Sequence, residues 1–93
     1  MVKQDQIDFS DDMDKKISIL LNQIYKSEED FDNQVIDKKE FSTLVQNYLN
    51  LINDYSKKVN DFFDYFGESD LFYNLYEELF VLKRELSKIS KNI

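Results

Sequence analysis

Four residue types are missing from this chain of 93 residues and a fifth is nearly missing. It contains no Cys, no His, no Pro and no Trp, and Gly occurs once. Without Cys there is no disulfide, no thiolate nucleophile and no Cys-based metal site. Without His, the chain lacks the commonest general base and the commonest transition-metal ligand. We therefore expect a protein that is not an enzyme and that holds no metal or other cofactor.

The scarcity of Pro and Gly predicts an all-α fold, because β-domains need tight turns that draw on both residues. Apolar residues also recur at alternating spacings of four and three along two segments, which is the pattern of a heptad seam. The first seam consists of Phe41, Val45, Tyr48, Ile52, Tyr55, Val59, Phe62 and Phe66. The second consists of Phe72, Leu75, Leu79, Leu82, Leu86, Ile89 and Ile93.

Capping signals set the bounds of the two helices that carry these seams. Asp37, followed three residues later by Glu40, is typical of a capping box at a helix start. Gly67 follows the last residue of the first seam, where a glycine commonly ends a helix. The sequence therefore predicts helices over 38–66 and 70–92, joined as a long antiparallel hairpin.

The N-terminal third predicts a shorter helix. An apolar stripe of Met13, Ile17, Leu20 and Ile24 favours a helix over about 11–26, which we expect Ser10 to cap. Residues 1–9 would then form a frayed arm, and the alternative that Ile7 and Phe9 tether it to the bundle stays open. We favour a break near Ser27 and a short extra helix near 28–35, while a single helix that runs through this segment stays open.

Short connections make sequential helices antiparallel neighbours. The predicted architecture is thus one domain over 1–93, a three-helix up-down-up bundle. In such a bundle the first helix begins beside the end of the second helix and the start of the third.

Charge is distributed unevenly. The net charge is −7, from 19 acidic and 12 basic residues. Residues 1–14 hold five Asp and one Lys, and residues 59–82 hold six acids and no base. An up-down-up bundle brings these two segments together at one end, which we call the acidic end. Its candidate partner-binding acids are Asp8, Asp11, Asp12, Asp61, Asp64, Glu68, Asp70, Glu77 and Glu78.

Aromatic residues accompany these acids. Tyr65, Tyr73, Tyr76 and Phe80 lie within or beside the acidic segment, and the last three form a stripe offset from the second seam. Exposed aromatic stripes suit a dimer interface or a partner. Two ordinary explanations stay open: the stripe packs against the first helix, and the acids serve solubility and match helix dipoles.

Two acidic segments, Asp8–Asp14 and Ser27–Asp32, resemble cation sites in composition because carboxylates suit Ca²⁺ and Mg²⁺. Neither segment has the central Gly that an EF-hand loop requires, and the di-iron bundle motif requires His. We therefore interpret both as solvated helix starts.

An acidic surface repels nucleic acid and anionic membranes, and it suits a basic protein surface. We hypothesise an inhibitor that docks its acidic end, as a nucleic-acid mimic, into the basic nucleic-acid-binding cleft of a larger protein. Phage-encoded inhibitors of nucleases and of CRISPR effectors are small acidic proteins of this type, although the chain has no motif of a named family.

Two alternatives are an immunity protein or antitoxin that neutralises a cognate toxin, and a structural or export-related module that pairs through its helices as a homodimer or heterodimer. The N-terminal residues are polar and lack the apolar core of a signal peptide. No run approaches the ~20 apolar residues that span a bilayer. We therefore expect a soluble, cytoplasmic protein of a bacterium or its phage.

Overall fold

Three long helices and two short connections form the part of the chain that the computed structural model describes, residues 4–92. Helix α1 spans Gln4–Asp32, α2 spans Lys38–Phe66 and α3 spans Asp70–Asn92. No strand occurs within these residues, so the prediction of an all-α fold is confirmed. None of the three helices is both long enough and apolar enough to span a membrane.

Local capping contacts explain where α2 begins and ends. The Asp37 side chain accepts a hydrogen bond from the backbone N–H of Glu40 at 2.8 Å, which satisfies a free donor in the first turn. At the other end, Gly67 has φ 82°, and its N–H donates to the Phe63 carbonyl at 2.7 Å. The next helix is capped by Ser69, whose hydroxyl accepts from the Phe72 N–H at 3.3 Å.

Helix α1 is longer than expected at both ends. Residues 4–9, which we expected to fray, are helical, and Ser10 lies inside the helix rather than at its cap. Residues 1–3 of the expected arm lie outside the described part of the chain. The expected break near Ser27 is wrong, and there is no extra helix near 28–35, because α1 continues to Asp32 and is followed by turn and bend residues.

Polar residues at core positions explain this difference. Gln6, Ser10 and Ser27 are buried and continue the heptad spacing of the apolar stripe in α1. The apolar pattern ends at such residues, although the helix and its buried face continue past them. The structure therefore extends the α1 seam from residue 6 to residue 27, with polar side chains near both ends.

One buried polar contact ties α1 to α2. The hydroxyls of Ser27 and Tyr48 lie 2.6 Å apart, and the Tyr48 hydroxyl also donates to the Gln23 carbonyl at 3.4 Å. Buried hydroxyls without partners cost about 1–3 kcal/mol, so this contact makes a polar pair tolerable inside the seam.

All three helices contribute to one core. Burial of apolar area stabilises the fold by roughly 25 cal/mol per Å² removed from water. The buried apolar residues are Met13, Ile17, Leu20, Ile24, Phe41, Val45, Tyr48, Ile52, Val59, Phe62, Phe72, Leu75, Leu79, Leu82 and Leu86. Tyr55, Phe66 and Ile89 of the predicted seams are partly buried against them, and Ile93 lies outside the described residues.

Stacked rings show how the helix ends meet. Phe9 stacks on Phe62 with ring centroids 4.3 Å apart, so the start of α1 lies against the end of α2. Phe31 stacks on Phe41 at 4.5 Å, so the end of α1 lies against the start of α2. The molecule is correspondingly elongated, with extents of 50 × 18 × 15 Å.

Candidate partner-binding site

Ring packing brings the segments of the acidic end together. Phe62 lies between Phe9 of α1 and Phe66 of α2, at 4.3 and 4.6 Å between ring centroids. The connection 67–69 then turns the chain into α3. A cleft between α1 and this connection is lined by Gln6, Ile7, Phe66, Glu68, Ser69, Asp70 and Leu71.

Most of the predicted acids at this end face solvent. Asp8, Asp11, Asp12, Asp61, Asp64, Glu68, Asp70 and Glu77 are all exposed. Within residues 4–92, Asp12 is the member of this set with an ion pair, to Lys16 at 3.0 Å. The other carboxylates carry charge that no basic side chain of the described residues neutralises at contact distance.

Glu78 is different because it is partly buried between α1 and α3. Burial, a hydrogen bond with Asp14, and the charges of Asp14 and Glu77 together raise the pKa of Glu78 to about 7. Near neutral pH this site therefore gains or loses a proton readily. One carboxyl oxygen of Glu78, Oε2, is buried with no hydrogen-bond partner among the described residues.

A groove runs beside this carboxyl pair along the contact between α1 and α3. Its volume is about 370 Å³, and its lining is mostly apolar. The lining residues are Ile17, Ser18, Leu21, Glu77, Glu78, Val81 and Leu82. We call it the α1–α3 groove.

The predicted aromatic residues differ in their surroundings. Tyr65 and Phe80 are 81% and 64% exposed, and Tyr73 is half exposed. Tyr76 packs edge-on against Phe72 with ring centroids 4.3 Å apart, so part of its surface belongs to the fold. Desolvation, followed by the hydrogen bond and charge of Glu68, raises the pKa of Tyr73.

Sequence reasoning missed two features of this end. It treated Asp14 only as one of the charges of residues 1–14, although Asp14 lies close enough to Glu78 to help raise the pKa of that carboxyl. It also missed the groove, because Ile17, Leu21 and Val81 were assigned to the core or left unassigned. Heptad spacing gives the buried face of each helix, but not the axial position of one helix against another.

Within residues 4–92, no group of three or more acids is arranged to hold a metal ion. Comparisons of the chain with protein-family models, with curated proteins and with solved structures give no match.

Proposed function

We propose that this chain is a non-enzymatic inhibitor that docks its acidic end into a basic, nucleic-acid-binding cleft of a larger protein. The observation that supports this most directly is the set of exposed carboxylates from α1, α2 and α3, of which Asp12 alone has an ion pair within residues 4–92. Clefts that bind nucleic acid present Lys and Arg to phosphates. Carboxylates held on rigid helices offer the same charge to those side chains.

The proposal includes an up-down-up order of the three helices. The Phe9–Phe62 and Phe31–Phe41 stacks support it for α1 and α2. The Phe63–Phe72 contact at 4.3 Å supports a hairpin of α2 and α3 closed at Gly67. With this order the charged segments 1–14 and 59–82 share one end of the molecule.

Charge would act mainly on the rate and selectivity of docking. Complementary potentials speed the encounter of two proteins and disfavour partners of like charge. Tyr65 and Tyr73 would then add contact area at small cost in side-chain entropy, as aromatic anchors do at interfaces. The proposed setting is the cytoplasm of a bacterium, where a phage or mobile element would use such an inhibitor.

The test has two steps. The immobilised chain first captures its partner from a lysate of the host, and the partner is identified. Binding of that partner to the chain and to its variants is then measured. The variant Asp61→Asn/Asp64→Asn/Asp70→Asn should weaken binding by about tenfold or more, since each lost charge pair costs a fraction of a kcal/mol to a few kcal/mol. Duplex DNA should compete with the chain, and affinity should fall as salt rises.

The matched control is Glu29→Gln/Asp32→Asn/Glu40→Gln, which removes the same charge from exposed positions outside the acidic end. It should bind nearly as well as the wild type. Equal losses in both variants, or binding that is indifferent to salt and to DNA, would contradict the proposal.

A second candidate is a module that dimerises through α3. The exposure of Tyr73 and Phe80 favours it, because large apolar side chains in a row often mark an interface. Sedimentation of the pure protein distinguishes the two: a dimer that Phe80→Ser dissociates favours pairing, and a monomer favours the inhibitor. An immunity protein or antitoxin would use the same acidic end, and a toxin as the isolated partner would identify it.

A further inference from the structure

The α1–α3 groove has an apolar part and a negatively charged part. Ile17, Leu21 and Val81 give it apolar walls, and Val81 is 38% exposed although it is a β-branched aliphatic residue. Its volume of about 370 Å³ is near the small end of ligand pockets, which range from about 300 to 1,000 Å³. That space suits one or two side chains of a protein partner.

The polar part of the groove is negative and has an unused acceptor. Glu78 lines the groove, bonds to Asp14 from α1, and has Glu77 beside it on α3. The charged groups that act on Glu78 are thus both acidic. Its Oε2 atom is buried without a donor among the described residues, and a buried unpaired acceptor is costly. A cationic N–H donor in the groove would reduce the repulsion among the carboxyls of Asp14, Glu77 and Glu78.

We propose that the α1–α3 groove binds a basic amphipathic segment of the partner protein. An aliphatic side chain of that segment lies against Leu21 and Val81, and an adjacent Lys or Arg pairs with Asp14 and Glu78. This inference rests on the proposed function, and it names the part of the acidic end where the partner is anchored.

Charge complementarity selects this occupant over a second copy of the chain. Two copies that meet groove to groove would bring six carboxylates together, three from each copy, and each copy has a net charge of −7. Like charges at an interface oppose association. A basic segment instead meets only opposite charge in the groove.

The affinity of the groove for a cation should depend on pH. The carboxyl pair holds a proton near neutral pH, because the pKa of Glu78 is about 7. A cation binds best to the deprotonated pair, so its arrival releases a proton to solvent. Affinity should therefore tighten by roughly tenfold between pH 5.5 and pH 8.

The probe is an amphipathic Leu/Lys peptide of about 14 residues, near the shortest length for an isolated helix. It is titrated into the isotope-labelled full chain and followed by NMR. Amide shifts should centre on Ser18, Leu21 and Val81, and a Ser/Lys peptide of equal charge should bind more weakly. Shifts centred on Asp61, Asp64 and Gly67 would overturn the inference.

Two variants separate the groove from its surroundings. Val81→Asn makes the apolar wall polar without changing its charge and should weaken peptide binding by about tenfold, whereas Phe80→Asn changes the neighbouring exposed residue outside the groove and should leave binding nearly unchanged. Glu78→Gln keeps the shape and should abolish the pH dependence. Equal effects at positions 80 and 81, or an unchanged pH dependence in Glu78→Gln, would contradict the proposal.

Binding of the partner isolated from the host, measured with two variants, distinguishes failure of this inference from failure of the proposed function. If Asp61→Asn/Asp64→Asn releases that partner and Val81→Asn does not, docking through the acidic end holds and the groove inference fails. If neither variant weakens partner binding, both fail. A dimer in light scattering that Val81→Asn dissociates would assign the groove to a second copy and overturn the inference.

Discussion

At the scale of single residues, the carboxyl group of Glu78 has the most unusual surroundings. It is partly buried, it bonds to Asp14, and its pKa is raised to about 7 from a usual value of 4.5. The folded protein therefore holds a proton over a pH range in which the unfolded chain has lost it. By linkage, stability falls as pH rises wherever the folded state binds more protons. Glu78 thus contributes most below pH 4.5, and its contribution is lost as pH rises through about 7.

We predict that Glu78→Gln stabilises the protein at pH 8 and has little effect at pH 4.5. The amide keeps the size of the protonated acid and does not ionise. The expected gain at pH 8 is about 1–2 kcal/mol, a figure reduced for solvent screening at a partly exposed site. Urea unfolding followed by circular dichroism at both pH values measures it. A gain of equal size at both would contradict the raised pKa, and Glu29→Gln is the exposed control.

At the scale of secondary-structure elements, the two connections use positive φ angles in different ways. Gly67 has φ 82° and ψ −171°, a region that is nearly restricted to glycine. Gln34 has φ 62°, where glycine is favoured and other residues are strained by roughly 1 kcal/mol. The connection between α2 and α3 therefore has the residue that its backbone requires, whereas the connection between α1 and α2 does not.

Removing the glycine at position 67 and introducing one at position 34 should have opposite effects on the stability of the protein. Gly67→Ala should destabilise the protein by about 1–3 kcal/mol. Because a Cβ atom at position 67 would meet no atom within 4 Å, this loss comes from the backbone and not from crowding. Gln34→Gly should stabilise by up to about 1 kcal/mol, less the extra entropy of the unfolded chain. Chemical denaturation of both variants checks the signs, and losses of similar size would refute the argument.

The bounds of a helix could be predicted from the sequence where its buried positions are apolar. The structure places α2 and α3 over the residues that their seams and caps indicated. The start and end of α1 were not predictable in this way, because Gln6, Ser10 and Ser27 occupy its seam. Their burial depends on partners in other helices, such as Tyr48 for Ser27. The exposed acids could be named from charge alone, but the Asp14–Glu78 bond depends on how two helices align.

At the scale of the whole molecule, acidic residues flank the connection between α2 and α3, with six acids and no base over residues 59–82. Asp61 and Asp64 lie in or near the last turn of α2, which has no basic residue, whereas Asp70 lies in the first turn of α3. The helix dipole disfavours acids at a C-terminus and favours them at an N-terminus, by about 0.3–1 kcal/mol each. Repulsion among the crowded acids acts on all of them.

Neutralising two acids of this end should therefore give unequal results. Asp64→Asn should stabilise the protein more than Asp70→Asn, by about 0.5–1 kcal/mol at low salt. In 1 M NaCl, where the Debye length is about 3 Å, the difference should shrink. Thermal unfolding at both salt concentrations measures it. If the two variants gain equally, overall repulsion alone sets the stability of this end.

The hydroxyl contact between Ser27 and Tyr48 has a consequence for the opposite end of the molecule. A seam of similar apolar residues still buries its side chains if α1 moves along α2 by one heptad. The two hydroxyls, 2.6 Å apart, meet in only one such alignment. Thirteen residues, or about 20 Å of helix, separate Ser27 from Asp14. The contact fixes the axial alignment of α1 against α2. Because α3 packs against α2 through Phe63 and Phe72, the same contact helps to determine which residue of α1 lies near Glu78.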